Sequence, residues 1–446
     1  MNSIRVEDIE KFAGQVVTIQ GWVYNRTDKG KLVFLLVRDG SGFVQCVGFK
    51  GDLDAALFDQ LIRLPQESSV VITGLVREDK RAPGIPGGFE VGIQEMNILQ
   101  TAGSDYPMAL KDHGVDFALD NRHLWLRMPS QWAVLRVRAV VISAIREWLD
   151  NNGFINMDTP ILTPSACEGT STLFETQYFD EGSAYLSQSG QLYNEANIMA
   201  FGRVYSFGPT FRAEKSKTRR HLTEFWMVEP EAAFCDLDQL MVFEEQYVSH
   251  IVQRVLRDCQ PELKSLHRDT SVLEKIIAPF PRLSYDVAVE KLTQAWQAET
   301  DPDKKELLKF EWGMDFGAPH EAVLTASYEK PVFVFGYPTV VKAFYMEPWP
   351  GRPEVCKSVD LLAPEGYGEI IGGSERMSSY DLLLQRIREH ALPEDSYAWY
   401  LDLRKYGSVP HSGFGMGVER TVAWICGIEH IREAIPFPRT IKRVYP

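Results

Sequence analysis

Residues 205–234, YSFGPTFRAEKSKTRRHLTEFWMVEPEAAF, combine residue types that handle phosphate: two strand-like runs flank a turn holding Lys215, Lys217, Arg219 and Arg220. A basic turn between strands suits a triphosphate or an RNA end. Arg212 follows Phe211, so a guanidinium and an aromatic face are expected together, one to grip phosphate and the other to stack on a base. Glu214, two residues on, is expected on the same face. A basic loop on its own is more often a solvated hairpin, so this segment gains meaning only beside others.

Two further segments supply them. In HSGFGMGVERTVAWICGIEHIREAIPFPR, residues 411–439, Gly413, Gly415 and Gly417 alternate, as on a strand that a flat ligand approaches closely, and Arg420 opens the helix that follows. The spacing is not that of a dinucleotide fingerprint. In SVDLLAPEGYGEIIGGSERM, residues 358–377, Asp360 and Glu369 are two acids beside a Gly-Gly turn, with Arg376 nearby. Two such acids suit Mg²⁺ whose remaining oxygens come from nucleotide phosphates, although loop acids are commonly just solvated. Arginines at two sites, a glycine platform and metal-binding carboxylates, with no evident Ser-His or Cys-His nucleophile, are equipment for ATP chemistry without a covalent enzyme intermediate.

The elements that must carry these residues fall into two parts. Residues 15–100 alternate apolar and polar positions in five short runs separated by Gly, Asp and Lys turns, which predicts a small closed five-stranded barrel of the oligonucleotide-binding (OB) type. We expect this domain over 1–101, a linker over 102–121, and an α+β domain over 122–446 that opens with the helix SQWAVLRVRAVVISAIREWLDNNG, ending on Gly153. The polar, helix-periodic stretch 237–309 reads as an insertion. Lys plus Arg total 47 against 61 Asp plus Glu, a formal charge of −14, so any RNA contact must be a local basic patch. Six scattered cysteines, no apolar N-terminal segment and no long apolar run predict a reduced, cytoplasmic protein with no membrane contact.

The strings themselves resemble a family. FRAE followed by RRHLTEFWMVEPE is similar to motif 2 of class II aminoacyl-tRNA synthetases, GFGMGVER to motif 3, and the helix ending in GFINMDTPIL to motif 1, with Pro160 at its dimer-forming position. An N-terminal barrel joined to these motifs resembles the aspartyl, asparaginyl and lysyl subgroup. ACEGTSTLF, YLSQSGQLYNEA, KAFYMEP, YLDLRKYGSVPHSGFG and IPFPRT are similar to asparaginyl members, over nearly the whole chain. The resemblance implies a class II catalytic domain with a mainly antiparallel sheet flanked by helices, and an asparagine–tRNA ligase activity through an asparaginyl-adenylate. It also implies Mg²⁺, and as partners ATP, L-asparagine, tRNA(Asn) and a second copy of the chain.

Carried over residue by residue, Arg212 and Arg420 would hold the phosphates and serve catalysis. Glu214, Arg220, His221, Leu222, Phe225, Gly415, Gly417 and Glu419 would complete the nucleotide site, and Glu369 with Asp360 would hold the metal. Glu168, Ser187, Gln188, Gln191, Asn194, Glu229, Gly372 and Arg376 would line the amino-acid pocket. On the barrel, Arg26, Phe34 and Gln45 would meet the anticodon, Phe34 by stacking, although a strand Phe is commonly core. Aspartyl members carry a lysine where this chain has Asn194. Loss of that cation disfavours a buried aspartate, and Glu229, where aspartyl members usually carry Asp, would repel it and accept from an amide. An aspartyl enzyme charging both tRNAs, an amide-forming paralogue and an inactive RNA-binding paralogue are the rival readings. The present Asn194, barrel, Arg212, Glu369 and Arg420 speak against them in turn.

Overall fold

The computed structural model describes every residue except 1, 112, 165, 168–172, 181 and 217, and the chain folds as two compact units, residues 1–125 and 126–446. In the first unit, β1 (Val16–Asp28), β2 (Leu32–Arg38), β3 (Phe43–Phe49), β4 (Ser69–Glu78) and β5 (Phe89–Gln100) carry the five expected runs. β1 pairs antiparallel with both β2 and β4, β2 with β3, and β4 with β5, while β3 runs parallel to β5, so the ladder closes on itself. Alternation does the sorting: Val17, Ile19, Val33, Leu35, Val37, Cys46, Ile72 and Val91 point inward and are fully buried. Helix α1 (Ala55–Arg63) turns Phe58 and Leu61 into the same core, and Asp54 caps it by accepting from the Leu57 N–H at 2.9 Å.

Among the described residues, the largest sheet of the second unit has eight strands. These are β6 (Ile155–Asn156), β7 (Arg203–Phe211), β8 (Glu224–Ala233), β9 (Arg282–Ser284), β10 (Val332–Phe335), β11 (Ser358–Ala363), β12 (Gly368–Glu375) and β13 (His411–Gly417). Their order is β9-β10-β11-β12-β13-β8-β7-β6, antiparallel except at the two outermost pairings. Helix α2 (Pro129–Asn151) is the amphipathic helix read in the sequence. Pro129 sits in its first turn, where no N–H is needed, and Gly153 leaves it at φ +78°.

Helix α4 (Leu237–Asp258) opens the stretch 237–309. Met241, Tyr247, Val248, Ile251, Val252 and Val255 lie in the same core as Val137, Val141, Ile145 and Trp148 of α2, and Trp148 meets Tyr247 edge-on at 5.4 Å. β9 joins the sheet, and Leu283, Tyr285 and Leu292 form a second core with Val332 and Val334. The stretch reads as polar because of its outer face; its inner face is part of the domain's core. Helices α3 (Gln191–Phe201), α5 (Ala318–Thr325), α6 (Glu394–Lys405) and α7 (Val418–Cys426) carry the residues considered next.

Candidate active site

β7 and β8 form a hairpin, in register from Arg203 opposite Ala232 to Phe211 opposite Glu224, and residues 212–223 are its loop. Arg212 leaves the end of β7 with its N–H donating to the Thr223 carbonyl at 3.0 Å. Its guanidinium lies 5.4 Å from the centre of the Phe225 ring. The cation–aromatic pair expected from Arg212 and Phe211 is therefore made with Phe225 across the hairpin, while Phe211 faces a separate depression with Lys215, Arg439 and Val444. Glu214 stands in the loop, not on the strand, with a carboxyl oxygen 3.4 Å from His221 Nε2. Lys217 and Glu168 lie outside the described residues.

A cleft of about 650 Å³ opens against this hairpin and gathers Arg212, Glu214, Arg220, His221, Leu222, Phe225, Glu369, Gly415, Gly417, Glu419 and Arg420, together with Met227. The alternating glycines divide in purpose. A side chain at Gly413 would collide with the Glu231 carboxylate and one at Gly415 with the Met227 terminus, so both glycines permit internal packing, while Gly417 has room; Gly415 and Gly417 line the cleft. Glu419 is almost wholly buried: its carboxylate accepts from the Trp226 N–H at 3.0 Å and pairs with Arg138 at 2.9 Å. Arg220 is ion-paired with Glu321 of α5 and donates to the Gly366 carbonyl. Burial, reinforced by the charge of Arg420, holds the His221 imidazole below its usual range.

The two acids read as metal ligands meet over Gly372. A side chain there would bring its first carbon within 2.9 Å of Glu369 Oε1 and 3.5 Å of Asp360 Oδ1. They differ in charge environment. Burial pushes the Glu369 carboxyl up, but Arg420, Lys342 and Arg212 together bring it below the ordinary value. Asp360 is pushed up to about 6 by burial and by Glu369, against the pull of Lys342. Lys342 Nζ lies 2.7 Å from Asp360 Oδ2 and 3.8 Å from the centre of the Tyr337 ring, so Asp360 is already engaged by a cation. No cluster of three metal-ligating acids, histidines or cysteines exists among the described residues. Two carboxylates without a third fit a cation that receives its other oxygens from phosphate and water.

A second cleft, about 1250 Å³, shares Arg212, Met227, Glu369 and Gly415 with the first and continues past Ser189, Gln191, Glu229, Gly372, Arg376, Lys342 and Tyr345. Arg376 is buried and held by Glu231 through Nε at 3.2 Å and Nη2, and by Ser374 at 2.7 Å. The Glu229 carboxylate accepts from Ser189 Oγ and from the Gly190 N–H at 2.8 Å. Ser187, Gln188 and Asn194 do not line the cleft. Ser187 Oγ donates to the Ser189 carbonyl at 2.8 Å, and Gln188 Oε1 accepts from the Cys167 N–H at 3.3 Å.

Asn194, expected to face the substrate, is 0 % exposed beneath the floor, where Nδ2 donates to Ser206 Oγ at 3.0 Å and to the Glu229 backbone carbonyl at 2.9 Å. It lies three residues after Gln191 on the same side of α3, but its amide is taken up by Ser206 of β7 and the Glu229 carbonyl of β8, whereas Gln191 reaches the cleft. Lys342 and Tyr345 were missed. Their only signal was a cation inside the otherwise apolar string VVKAFYM.

On the barrel, Phe34 is half-buried on the outer face, since its neighbours Val33 and Leu35 fill the core. It lies in a cross-strand row with Thr27, Val47 and Gly92; the neighbouring row of the same face contains Asn25, Leu36, Gln45 and Glu90. Gln45 Nε2 donates to Glu90 at 3.2 Å. The absence of a side chain at Gly92 leaves room for the Arg77 guanidinium, whose carbon would otherwise stand 3.1 Å from a first side-chain carbon. Arg26 does not join Phe34 and Gln45. It pairs with inward Leu35 and its guanidinium donates to the Leu64 carbonyl at 2.9 Å. Glu90 and Arg77 are the barrel residues that sequence reasoning passed over.

The family described as tRNA synthetases class II (D, K and N) matches residues 114–441, and the OB-fold nucleic acid binding domain matches residues 17–99. An asparagine–tRNA ligase from Herpetosiphon aurantiacus is 55% identical over 446 residues, covering 100% of this chain and 99% of that protein. The crystal structure of asparaginyl-tRNA synthetase from Pyrococcus horikoshii complexed with asparaginyl-adenylate superposes with a TM-score of 0.92 at 45% identity, covering 100% of each chain. The Entamoeba histolytica asparaginyl-tRNA synthetase in complex with asparaginyl-adenylate gives a TM-score of 0.87 at 33% identity, covering 100% of this chain and 99% of that one. A closed N-terminal barrel, an antiparallel catalytic sheet and full-length similarity agree: this chain belongs to the class II tRNA synthetases of the aspartate, lysine and asparagine group, within the asparagine–tRNA ligase family.

Proposed function

We propose that the protein joins L-asparagine to tRNA(Asn): ATP and asparagine form asparaginyl-adenylate and diphosphate, and the tRNA 3′-terminal ribose then takes the asparaginyl group and releases AMP. The observation that carries this reading is the continuity of the two clefts through Arg212, Met227, Glu369 and Gly415. Nucleotide in the first and amino acid in the second meet at a guanidinium.

In the first step an oxygen of the asparagine carboxylate attacks the α-phosphorus in line with the departing diphosphate. Arg212 neutralises charge on the α-phosphate as the fifth bond forms, and Arg420 and Arg220 hold the outer phosphates. Phe225 and the bare faces of Gly415 and Gly417 sandwich the adenine. Catalysis is alignment and charge neutralisation, with no general base required. Glu369, with Asp360, holds Mg²⁺, which supplies further neutralisation of the phosphates when bound. In the second cleft Gln191 receives the ammonium, Glu229 accepts from the side-chain amide N–H and Arg376 donates to the side-chain carbonyl. Discrimination against aspartate then rests on the Glu229 carboxylate, with Asn194 supporting it from below.

Phe34, Gln45 and Glu90 receive the anticodon on the outer barrel face. A homodimer is supported by the edge strand β6, whose Ile155 is 45 % exposed, and by Ile161 and Leu162 at 46 % and 44 % beside Pro160. Six buried cysteine thiols suit the reducing cytoplasm, where we place the enzyme. No helix among the described residues is long and apolar enough to cross a membrane.

The test is amino-acid-dependent exchange of labelled diphosphate into ATP, with asparagine or aspartate, followed by charging of tRNA(Asn). Mg²⁺-dependent exchange with asparagine alone is expected; exchange with aspartate at equal efficiency overturns the assignment.

A further inference from the structure

The substrate cleft is backed by a buried carboxylate that no part of the proposed chemistry uses. Glu195 stands on α3 one turn after Gln191 and is 0 % exposed. Tyr400 Oη, from α6, lies 2.8 Å from each of its oxygens; Arg404, also from α6, donates to Oε2; and His411 Nε2, from β13, lies 3.0 Å from Oε2. Gln191 Nε2 donates to Oε1 at 3.0 Å. So many donors around one carboxyl group keep it ionised: burial pushes the acid up, but Arg404 and the His411 contact carry it well below the ordinary range. An ionised carboxylate only accepts hydrogen bonds.

The consequence falls on Gln191. A glutamine amide presents either a donor or an acceptor, depending on a half-turn about its last bond, and nothing in its shape favours one over the other. With its NH₂ committed to Glu195, its Oε1 is the atom offered to the cleft. Resting on the reading above, we propose that Glu195 is a positioning residue that acts through Gln191: it fixes the amide so that the cleft presents an acceptor to the substrate ammonium. Glu195 does not touch substrate. It converts an ambiguous side chain into an acceptor for the ammonium, and α6 keeps it there by supplying Tyr400 and Arg404.

The test compares asparagine with succinamic acid, which has the same carboxylate and amide but no ammonium. In Glu195→Gln the amide of Gln191 is free to turn. The KM for asparagine in diphosphate exchange rises about tenfold or more, the worth of a hydrogen bond to a charged group. Inhibition by succinamic acid and the KM for ATP change less than about twofold. Gln191→Met shows the same split, and Glu195→Gln added to it has no further effect, since the two act as one unit. If Glu195→Gln does not fold, Glu195→Asp takes its place: it keeps the charge, withdraws it from Gln191 by one methylene, and is expected to show the same split. Equal weakening of asparagine and succinamic acid, or independent additive effects of the two substitutions, overturns the positioning role. Absence of asparagine-dependent exchange in the unmodified protein overturns instead the activity reading beneath it.

Discussion

Arg420 Nη1 donates both to the Glu369 backbone carbonyl at 3.1 Å and to the Glu369 carboxylate at 3.2 Å, which ties the start of α7 to β12 at the floor of the first cleft. The two side chains remain 29 % and 38 % exposed, so the ion pair is screened and contributes little to stability. Its value is placement. A cation and an acid wait side by side where phosphate and metal would separate them.

Glu369→Gln keeps the shape and an acceptor for Arg420 but removes the charge. We expect ATP–diphosphate exchange to fall about 10²–10³-fold, the scale seen when one preorganised electrostatic partner is removed, and the Mg²⁺ concentration for half-maximal rate to rise. A metal titration that superposes on that of the unmodified enzyme would remove Glu369 from the metal site.

Arg212 stands at the junction of the two clefts and over the Phe225 ring. Arg212→Ala is expected to abolish adenylate formation while tRNA binding, measured by filter retention, stays within about threefold, because tRNA is gripped through many contacts and the adenylate through few. Comparable turnover in the two proteins refutes the assignment.

Asn194 gives a prediction opposite to the one its sequence position invites. Were it a specificity residue facing the substrate, Asn194→Lys would recruit aspartate. In the fold its amide donates to Ser206 and to the Glu229 carbonyl at 0 % exposure, so a lysine there must give up both hydrogen bonds and bury a charge. Denaturant unfolding should show a loss of about 3–5 kcal/mol, with no gain of aspartate-dependent exchange. A stable variant that activates aspartate would contradict this placement.

Glu244, on α4, is fully buried behind Gly373, and neither carboxyl oxygen has a hydrogen-bond partner among the described residues. Burial, with the charge of Asp360 adding to it, raises its carboxyl well above the ordinary range. The folded protein therefore keeps a proton that the unfolded chain releases above the ordinary carboxylate range. Stability contributed by the neutral acid is complete below that range and declines with rising pH, by about 1.4 kcal/mol per pH unit, until the raised value is passed. Glu244→Gln, which cannot ionise, should exceed the parent in unfolding free energy by a margin that widens from pH 5 to pH 8. A margin independent of pH would show that Glu244 is ionised in the fold.

Phe34→Ala should lower kcat/KM for tRNA charging by the equivalent of about 1–3 kcal/mol, the worth of one base stacked on an aromatic ring. Diphosphate exchange, which needs no tRNA, should be unchanged. Gln45→Ala should weaken charging while Arg26→Ala, pointed toward the Leu64 carbonyl, should act mainly on the stability of the barrel. Equal loss of exchange and charging in Phe34→Ala would argue against the anticodon role.

Local pattern alone determined a good deal. Period-two alternation over residues 15–100 specified five strands with one buried face, and that suffices for a small barrel because such strands must close or leave an edge. The basic turn, the glycine alternation at 413–417 and the paired acids at 360 and 369 were readable because each is a short-range arrangement of residue types, and Arg220, Gly415, Gly417, Asp360 and Glu369 line the two clefts. What spacing cannot convey is which face of an element looks into a cavity and what approaches it from elsewhere in the chain. The packing of α3 on β7 and β8 left Gln191 in the cleft and drew the Asn194 amide to Ser206 and the Glu229 carbonyl. Helix α6, some two hundred residues away in sequence, closed on Glu195, and Lys342 arrived from a loop to claim Asp360. Glu231 took the space at Gly413 that a ligand was expected to take. Each of these was decided by long-range packing, in which a side chain's partner is set by the three-dimensional meeting of elements and leaves no trace in the residues beside it.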